Sequence, residues 1–196
     1  MAYMVERCRV LGPGERFCLW VQGCPLNCPG CHNPQFLPFA ERAWHTVTGL
    51  VEKVLAVPGI EGITLLGGEP SAQSRSLARL ARPLRQAGLT VMTYSGFTLA
   101  ELRAGIMPQA EELLEQTDLL LDGPYIQNSP TARPWRGSDN QRLIALTDAY
   151  REQAARWNEP LGQQFELRMR PDGGAELLGI FPSDIFIPPG VVGQGI

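Results

Sequence analysis

Gly23-Cys24-Pro25-Leu26-Asn27-Cys28-Pro29-Gly30-Cys31-His32-Asn33 carries three of the chain's five cysteines in a C-x3-C-x2-C spacing. Pro25, Pro29 and Gly30 break helix and strand alike, so this stretch reads as a loop folded back on itself. A tight loop aims its sulfurs at one centre, and thiolates are soft ligands that suit iron–sulfur clusters and zinc. Structural zinc would take His32 as its fourth ligand. But His32 adjoins Cys31, and the chain offers no second Cys-x2-Cys half-site. A disulfide framework fits neither the odd number of cysteines nor a start that lacks the basic flank and apolar block of a secretory signal. The spacing favours a cluster held through three irons, with the fourth left open to another ligand.

The rest of the chain is compatible with that chemistry. Its 196 residues suffice for one domain with a real core, and 44% hydrophobic against 19% charged residues describes a globular chain rather than a disordered one. A net charge of −3 argues against a nucleic-acid surface, which would be basic. No apolar run approaches a membrane span. The expected home is the cytoplasm, whose reducing thiol pool leaves loop cysteines free for metal. There is no internal repeat and no low-complexity tract.

Working outward, residues 5–11 and 16–21 read as short strands around the Gly12-Pro13-Gly14 turn. Phe17-Cys18-Leu19-Trp20-Val21 is almost continuously apolar, as a strand buried on both faces would be, and Cys8 and Cys18 read as small core residues. The cysteine loop therefore leaves the carboxyl end of a strand. Helix-like periodicity covers 46–57, with Val47, Leu50, Val51, Val54 and Leu55 on one face, and 74–87, with Leu77, Leu80, Ala81 and Leu84 inward and a kink expected at Pro83. Arg75, Arg79 and Arg82 line the outer side of the second helix and read as a solvated face. Strands follow at 62–66, 89–94 and 118–122, with short helices at 98–104 and 109–116 between the last two. A fifth strand at 143–146, a helix over 148–157, and a β-hairpin of Phe165–Arg170 and Ala175–Ile180 around Asp172-Gly173-Gly174 complete the pattern, before a Pro/Gly-rich extended tail. The strand–helix alternation predicts an α/β fold, an open partial (β/α) barrel with a mainly parallel sheet plus the C-terminal hairpin. The expected organisation is a main unit over 1–160, with 161–196 packed on the same domain.

In a parallel sheet the carboxyl ends of the strands share one mouth. Four loops fall there: the cysteine loop, Gly67-Gly68-Glu69-Pro70, Tyr94-Ser95-Gly96 and Asp122-Gly123. Gly67 and Gly68 would let a ligand lie against bare backbone, and Glu69 could accept from an ammonium group. Glu69 could equally serve the start of the helix that follows.

Trp20-Val21-Gln22-Gly23-Cys24 with the C-x3-C-x2-C run, followed by Gly-Gly-Glu-Pro, resembles the radical S-adenosylmethionine superfamily. The short length and Gly12-Pro13-Gly14 resemble its activating enzymes of glycyl-radical enzymes. Arg136-Gly137-Ser138-Asp139-Asn140-Gln141-Arg142, after Leu121-Asp122-Gly123, is similar to the anaerobic ribonucleotide-reductase activating proteins. The likeness covers about residues 5–146. Two positions depart from the pattern: Gly30 stands where many members have an aromatic residue, and Pro124 where the subgroup has a basic one.

The resemblance implies that Cys24, Cys28 and Cys31 bind a [4Fe–4S] cluster whose open iron chelates S-adenosylmethionine. It implies that Gly67, Gly68 and Glu69 contact the methionine part, that Tyr94, Ser95 and Gly96 line the cofactor, and that Asp122 bonds cofactor or backbone near the mouth. One electron, from a flavodoxin- or ferredoxin-type donor, would yield methionine and a 5′-deoxyadenosyl radical, which would take hydrogen from a glycine of a partner enzyme. Asn33 could orient the cysteine loop through its side-chain amide or serve a plain turn, and His32 could tune the cluster by a hydrogen bond or stand as a surface histidine. Arg136, Asn140 and Arg142 could bind cofactor, hold their loop or meet the partner. A radical enzyme acting on a peptide or small molecule, and a non-catalytic metal-binding or electron-transfer protein, are the alternative readings.

Overall fold

The computed structural model describes residues 1–162, 164–169, 173–180 and 191–194. Its main sheet has six strands in chain order: β1 (Tyr3–Cys8), β2 (Arg16–Val21), β3 (Gly62–Gly67), β4 (Thr90–Ser95), β5 (Leu119–Asp122) and β6 (Arg142–Ala145). The three central pairings, β2–β3, β3–β4 and β4–β5, are parallel, and the two outer ones are antiparallel. The expected fifth strand therefore runs against its neighbour. Nothing helical lies between β5 and β6, so the chain makes no crossover and returns antiparallel.

Helices supply the crossovers elsewhere. α1 (Val47–Leu55) joins β2 to β3, α2 (Ser74–Gln86) joins β3 to β4, and α3 (Leu99–Arg103) and α4 (Ala110–Leu114) join β4 to β5. Their starts are written in side chains. Thr46 accepts from the Gly49 amide, and Thr98 and Glu101 form a reciprocal capping box. α2 runs through Pro83 to Gln86. Leu77, Leu80, Ala81 and Leu84 of α2 and Leu50 and Val54 of α1 pack on Phe17, Leu19, Val21, Ile63 and Leu65, one face of the sheet. Leu55, expected on that inner face, is exposed.

The other face presents Cys18, Trp20, Leu66, Met92, Tyr94, Leu119, Leu121 and Leu143. β2 is buried at every residue, as its unbroken apolar run requires. Cys8 and Cys18 sit in this core and share a side-chain hydrogen bond. After the 3-10 turn Asp148–Tyr150 and α5 (Arg151–Arg156), Tyr150 and Trp157 pack on the same cluster. The hairpin strands β7 (Phe165–Met169) and β8 (Ala175–Gly179) pair antiparallel, and Leu178 of β8 enters the core between β1, β2 and β4 residues. Asp172, assigned to the hairpin turn, lies outside the described residues. Residues 191–194 of the tail form a further strand, β9 (Val191–Gln194), parallel to β8, where only extended chain was expected.

Two arginines are fully buried and held by carbonyl, hydroxyl and amide oxygens. Arg16, at the start of β2, donates to Thr64 Oγ1, to Tyr150 Oη, to Thr90 Oγ1, and to the carbonyls of Pro13, Ile63 and Thr90. It ties together the amino ends of β2, β3 and β4, and Gly62 leaves it room: a Cβ there would come 2.6 Å from Arg16 Nη2. Arg136 donates to the carbonyls of Pro134, Gln141 and Trp157 and to Asn158 Oδ1. Burial brings its pKa down to about 10, which leaves it cationic at neutral pH.

Leu178 makes the attachment of the C-terminal sheet measurable. Leu178→Ala should lower unfolding stability by about 2–5 kcal/mol in a denaturant titration, the cost of a core leucine cavity. A loss below about 1 kcal/mol would show that the hairpin does not help to bury this face.

Candidate active site

The cysteine loop returns to its own starting point. Gly23 N donates to Phe36 O at 2.8 Å and Cys24 N to Leu37 O at 2.9 Å, with Phe36 buried in the 3-10 turn Pro34–Phe36. Gln22 fastens this return by donating to Gln35 O and Pro38 O. The loop is then pinned to the end of β3. Gly68 N donates to Val21 O at 2.9 Å and Glu69 N to Gly23 O at 2.8 Å.

That pinning gives the two glycines a packing reason of their own. Gly67 has φ +107°, and a Cβ there would sit 2.7 Å from Trp20 Cβ and Val21 N. A Cβ on Gly68 would run into the Gly23 carbonyl. Protein atoms stand where a side chain at either position would go, and both glycines border the pocket.

Glu69 is buried and performs two tasks at once. Oε1 accepts from Ser71 N at 2.9 Å, capping the 3-10 turn Pro70–Gln73, and from Ser95 Oγ at 3.0 Å. Oε2 accepts from Gly96 N at 2.8 Å. The carboxylate thus bridges the ends of β3 and β4. Burial pushes its pKa up, although the hydrogen bonds from Ser71, Gly96 and Ser95 pull the other way.

Cys24, Cys28 and Cys31 line one pocket together with Gly67, Gly68, Glu69, Tyr94, Ser95 and Gly96. The pocket encloses about 670 Å³ of empty space, part of it open to solvent. Burial raises the pKa of the Cys24 and Cys31 thiols. The backbone amides of Leu26 and Asn27 point at the Cys24 sulfur, and that of Asn33 at the Cys31 sulfur. Amide donors of this kind stabilise thiolates and tune cluster potentials. Among the described residues, no three His, Cys, Asp or Glu side chains gather as ligands of one metal ion. Three thiols bordering a common pocket bring together soft ligands of the kind that iron–sulfur clusters take.

Asp122 is the exception among the expected site residues. It does not border the pocket; Gly123 does. Its carboxylate accepts from Leu99 N at 2.6 Å and from Arg142 Nε at 2.9 Å and Nη2 at 2.5 Å. Arg142 is thereby committed to Asp122, Arg136 to its own loop and the end of α5, and Asn140 to Pro124 O. The wall also contains residues that the sequence did not single out: Leu26 and Leu37 from the cysteine loop, Leu66 from β3, and Tyr125 and Gln141. Leu26 lies over Gly96, leaving no room there for a Cβ. An apolar residue inside a breaker-rich loop was the one available signal. Tyr94 lines the pocket from the core side, its phenolic oxygen buried without a hydrogen-bond partner in the structure and its pKa raised by burial. Among the described residues, no helix is long and apolar enough to cross a membrane.

The family described as "4Fe-4S single cluster domain" matches residues 10–144. An anaerobic ribonucleoside-triphosphate reductase-activating protein of Enterobacteria phage T4 is 33% identical over 145 residues, 71% of this chain and 89% of that protein. A pyruvate formate-lyase-activating enzyme of Staphylococcus aureus is 34% identical over 140 residues, 68% of this chain and 55% of that enzyme. A Haemophilus influenzae protein, placed by its name among the glycyl-radical enzyme activating enzymes, is 44% identical over 92 residues, 45% of this chain and 35% of that protein. The chain therefore spans most of the phage protein but about half or less of the other two. With three thiols of one loop around one pocket and these relatives beside it, the chain belongs to the 4Fe–4S single-cluster family, among the radical S-adenosylmethionine activating enzymes of glycyl-radical enzymes.

Proposed function

We propose that this chain generates a glycyl radical on a partner enzyme of the anaerobic ribonucleotide-reductase kind. The observation that carries the reading is the meeting of Cys24, Cys28 and Cys31 with the buried Glu69 carboxylate around one pocket. Cys24, Cys28 and Cys31 are the ligands of a [4Fe–4S] cluster, and three protein ligands leave one iron for S-adenosylmethionine. When bound, the cluster supplies an electron to S-adenosylmethionine, giving methionine and a 5′-deoxyadenosyl radical that takes a hydrogen atom from the partner's glycine.

The chain's own residues bind and enclose. Glu69 accepts from the amino group of the methionine part with lone pairs left over from Ser71, Ser95 and Gly96. Gly67 and Gly68 hold that carboxylate at a fixed distance from the cysteine loop. Ser95, Gly96 and Tyr94 form the adjoining wall, and Leu26, Leu37 and Leu66 keep water from it, which protects a reactive radical. Asp122 acts through the loop it anchors. The parallel strands curve as an open partial barrel around this mouth; residues 1–160 form the radical unit, and the described residues of the C-terminal hairpin pack on it. A flavodoxin- or ferredoxin-type donor in the cytoplasm supplies the electron.

Anaerobic loading with iron and sulfide, followed by S-adenosylmethionine and a reductant, tests the reading. The wild-type chain should release 5′-deoxyadenosine, and Cys28→Ala should release none and lose the cluster's visible absorbance. Release at the wild-type rate by the variant, or none from a loaded and reduced wild type, would sink the assignment. Glu69→Gln should weaken S-adenosylmethionine binding to the loaded chain about tenfold, the scale of one charge-assisted hydrogen bond. The wild type should also bind progressively more weakly as pH falls through the raised pKa of Glu69, because protonation removes the acceptor charge. Equilibrium titration of the variant should show no such pH step.

Gly68→Ala checks the pinning of the two loops. The collision with the Gly23 carbonyl should cost about 1–3 kcal/mol of stability and reduce iron bound per chain after reconstitution.

A further inference from the structure

The segment 123–128 after β5 faces the cysteine loop across the pocket. The Tyr125 ring packs on His32, with centroids 4.7 Å apart and planes tilted by 48°. Both rings border the pocket. Gln127 covers Gly30, the residue just before Cys31; a Cβ on Gly30 would come 2.5 Å from Gln127 Cδ.

Residues 136–142 hold this segment almost one by one. Ser138 Oγ accepts from Ile126 N at 3.0 Å, and Asn140 Nδ2 donates to Pro124 O at 2.7 Å. Gln141 Nε2 donates to Gly123 O at 3.0 Å, while its Oε1 accepts from Gly137 N and Ser138 N. Gly137 gives the Tyr125 ring its place: a Cβ there would stand 3.0 Å from Tyr125 Cδ2. Arg136 closes the clamp on itself through Gln141 O, and Arg142 fixes Asp122 at its base. Apart from Gln141, none of these clamp residues borders the pocket.

We infer that residues 136–142 are a clamp for Tyr125, and that the Tyr125 ring shields the Cys31 corner of the cluster from water and dioxygen. The inference rests on the proposed ligation by Cys24, Cys28 and Cys31. An apolar cover lowers the local dielectric, which disfavours the more negatively charged reduced cluster and so lowers its potential. Removing the ring admits water, raises the potential and opens a route for oxygen. The ring's bulk is what matters here, not its hydroxyl.

The test uses the full chain loaded anaerobically with iron and sulfide. Two quantities are read without any turnover: the rate at which visible cluster absorbance is lost in air-saturated buffer, and the reduction midpoint from an EPR titration. Tyr125→Ala should bleach at least fivefold faster than wild type and show a higher midpoint. Tyr125→Phe should stay within twofold of wild type on bleaching. Ser138→Ala, which lies outside the pocket lining but releases Ile126, should move both readouts in the same direction as Tyr125→Ala. It also serves if the alanine variant fails to load. Unchanged bleaching and midpoint in Tyr125→Ala would overturn the shield, as would a Tyr125→Phe variant as labile as the alanine one. An unchanged Ser138→Ala would overturn the clamp. If the wild type itself takes up no cluster, the ligation reading falls and the shield with it; a wild type that loads normally beside insensitive variants removes the shield alone.

Discussion

The carbonyl of Gly23 is the point on which the site turns. It accepts the Glu69 amide, and it stands where any side chain on Gly68 would have to go. One close backbone approach therefore joins the exit of β2, which carries the cysteines, to the exit of β3, which carries the carboxylate. Glu69 extends the join to β4 through Ser95 and Gly96. Three loops that are separate in the chain become one rigid rim because neighbouring parallel strands deliver them side by side and short polar contacts stitch them. Rigidity of this sort is what a group needs when its ligands must hold several metal atoms in fixed relation.

Much of this was readable beforehand, because it depends on local chemistry. Proline and glycine mark the cysteine loop, unbroken apolar runs mark β2 and β5, and the apolar stripe of α2 is as clean in space as in sequence. Glu69 caps the turn that follows it, as its position suggested, and its carboxylate is buried at the border of the pocket. What escaped depends on distant partners. Gly67 and Gly68 are glycines because of Trp20, Val21 and Gly23, more than forty residues upstream, and no local pattern records that contact. Asp122 stands at a strand end like the others, yet Arg142 and Leu99 claim its carboxylate and turn it from the pocket. β6 had a strand's composition but no legible direction, since direction is set by the connection and not by the strand.

The buried arginines were hidden for a related reason. A lone arginine reads as a surface residue, and only the convergence of carbonyl and hydroxyl oxygens from several segments makes its burial tolerable. Arg136 binds the backbone between Pro134 and Asn158, so the segment resembling an activase signature is a scaffold in which most donors and acceptors are already spoken for. The two aromatic side chains that meet at its far side, Tyr125 and His32, come from loops almost a hundred residues apart.

Arg16 has a consequence of a different order. Its six bonds cork the foot of the three central strands, where Thr64, Thr90 and Tyr150 crowd around the guanidinium. Closed in this way at the amino ends of its strands, the parallel core has the pocket lined by the cysteine loop and Glu69 at their carboxyl ends.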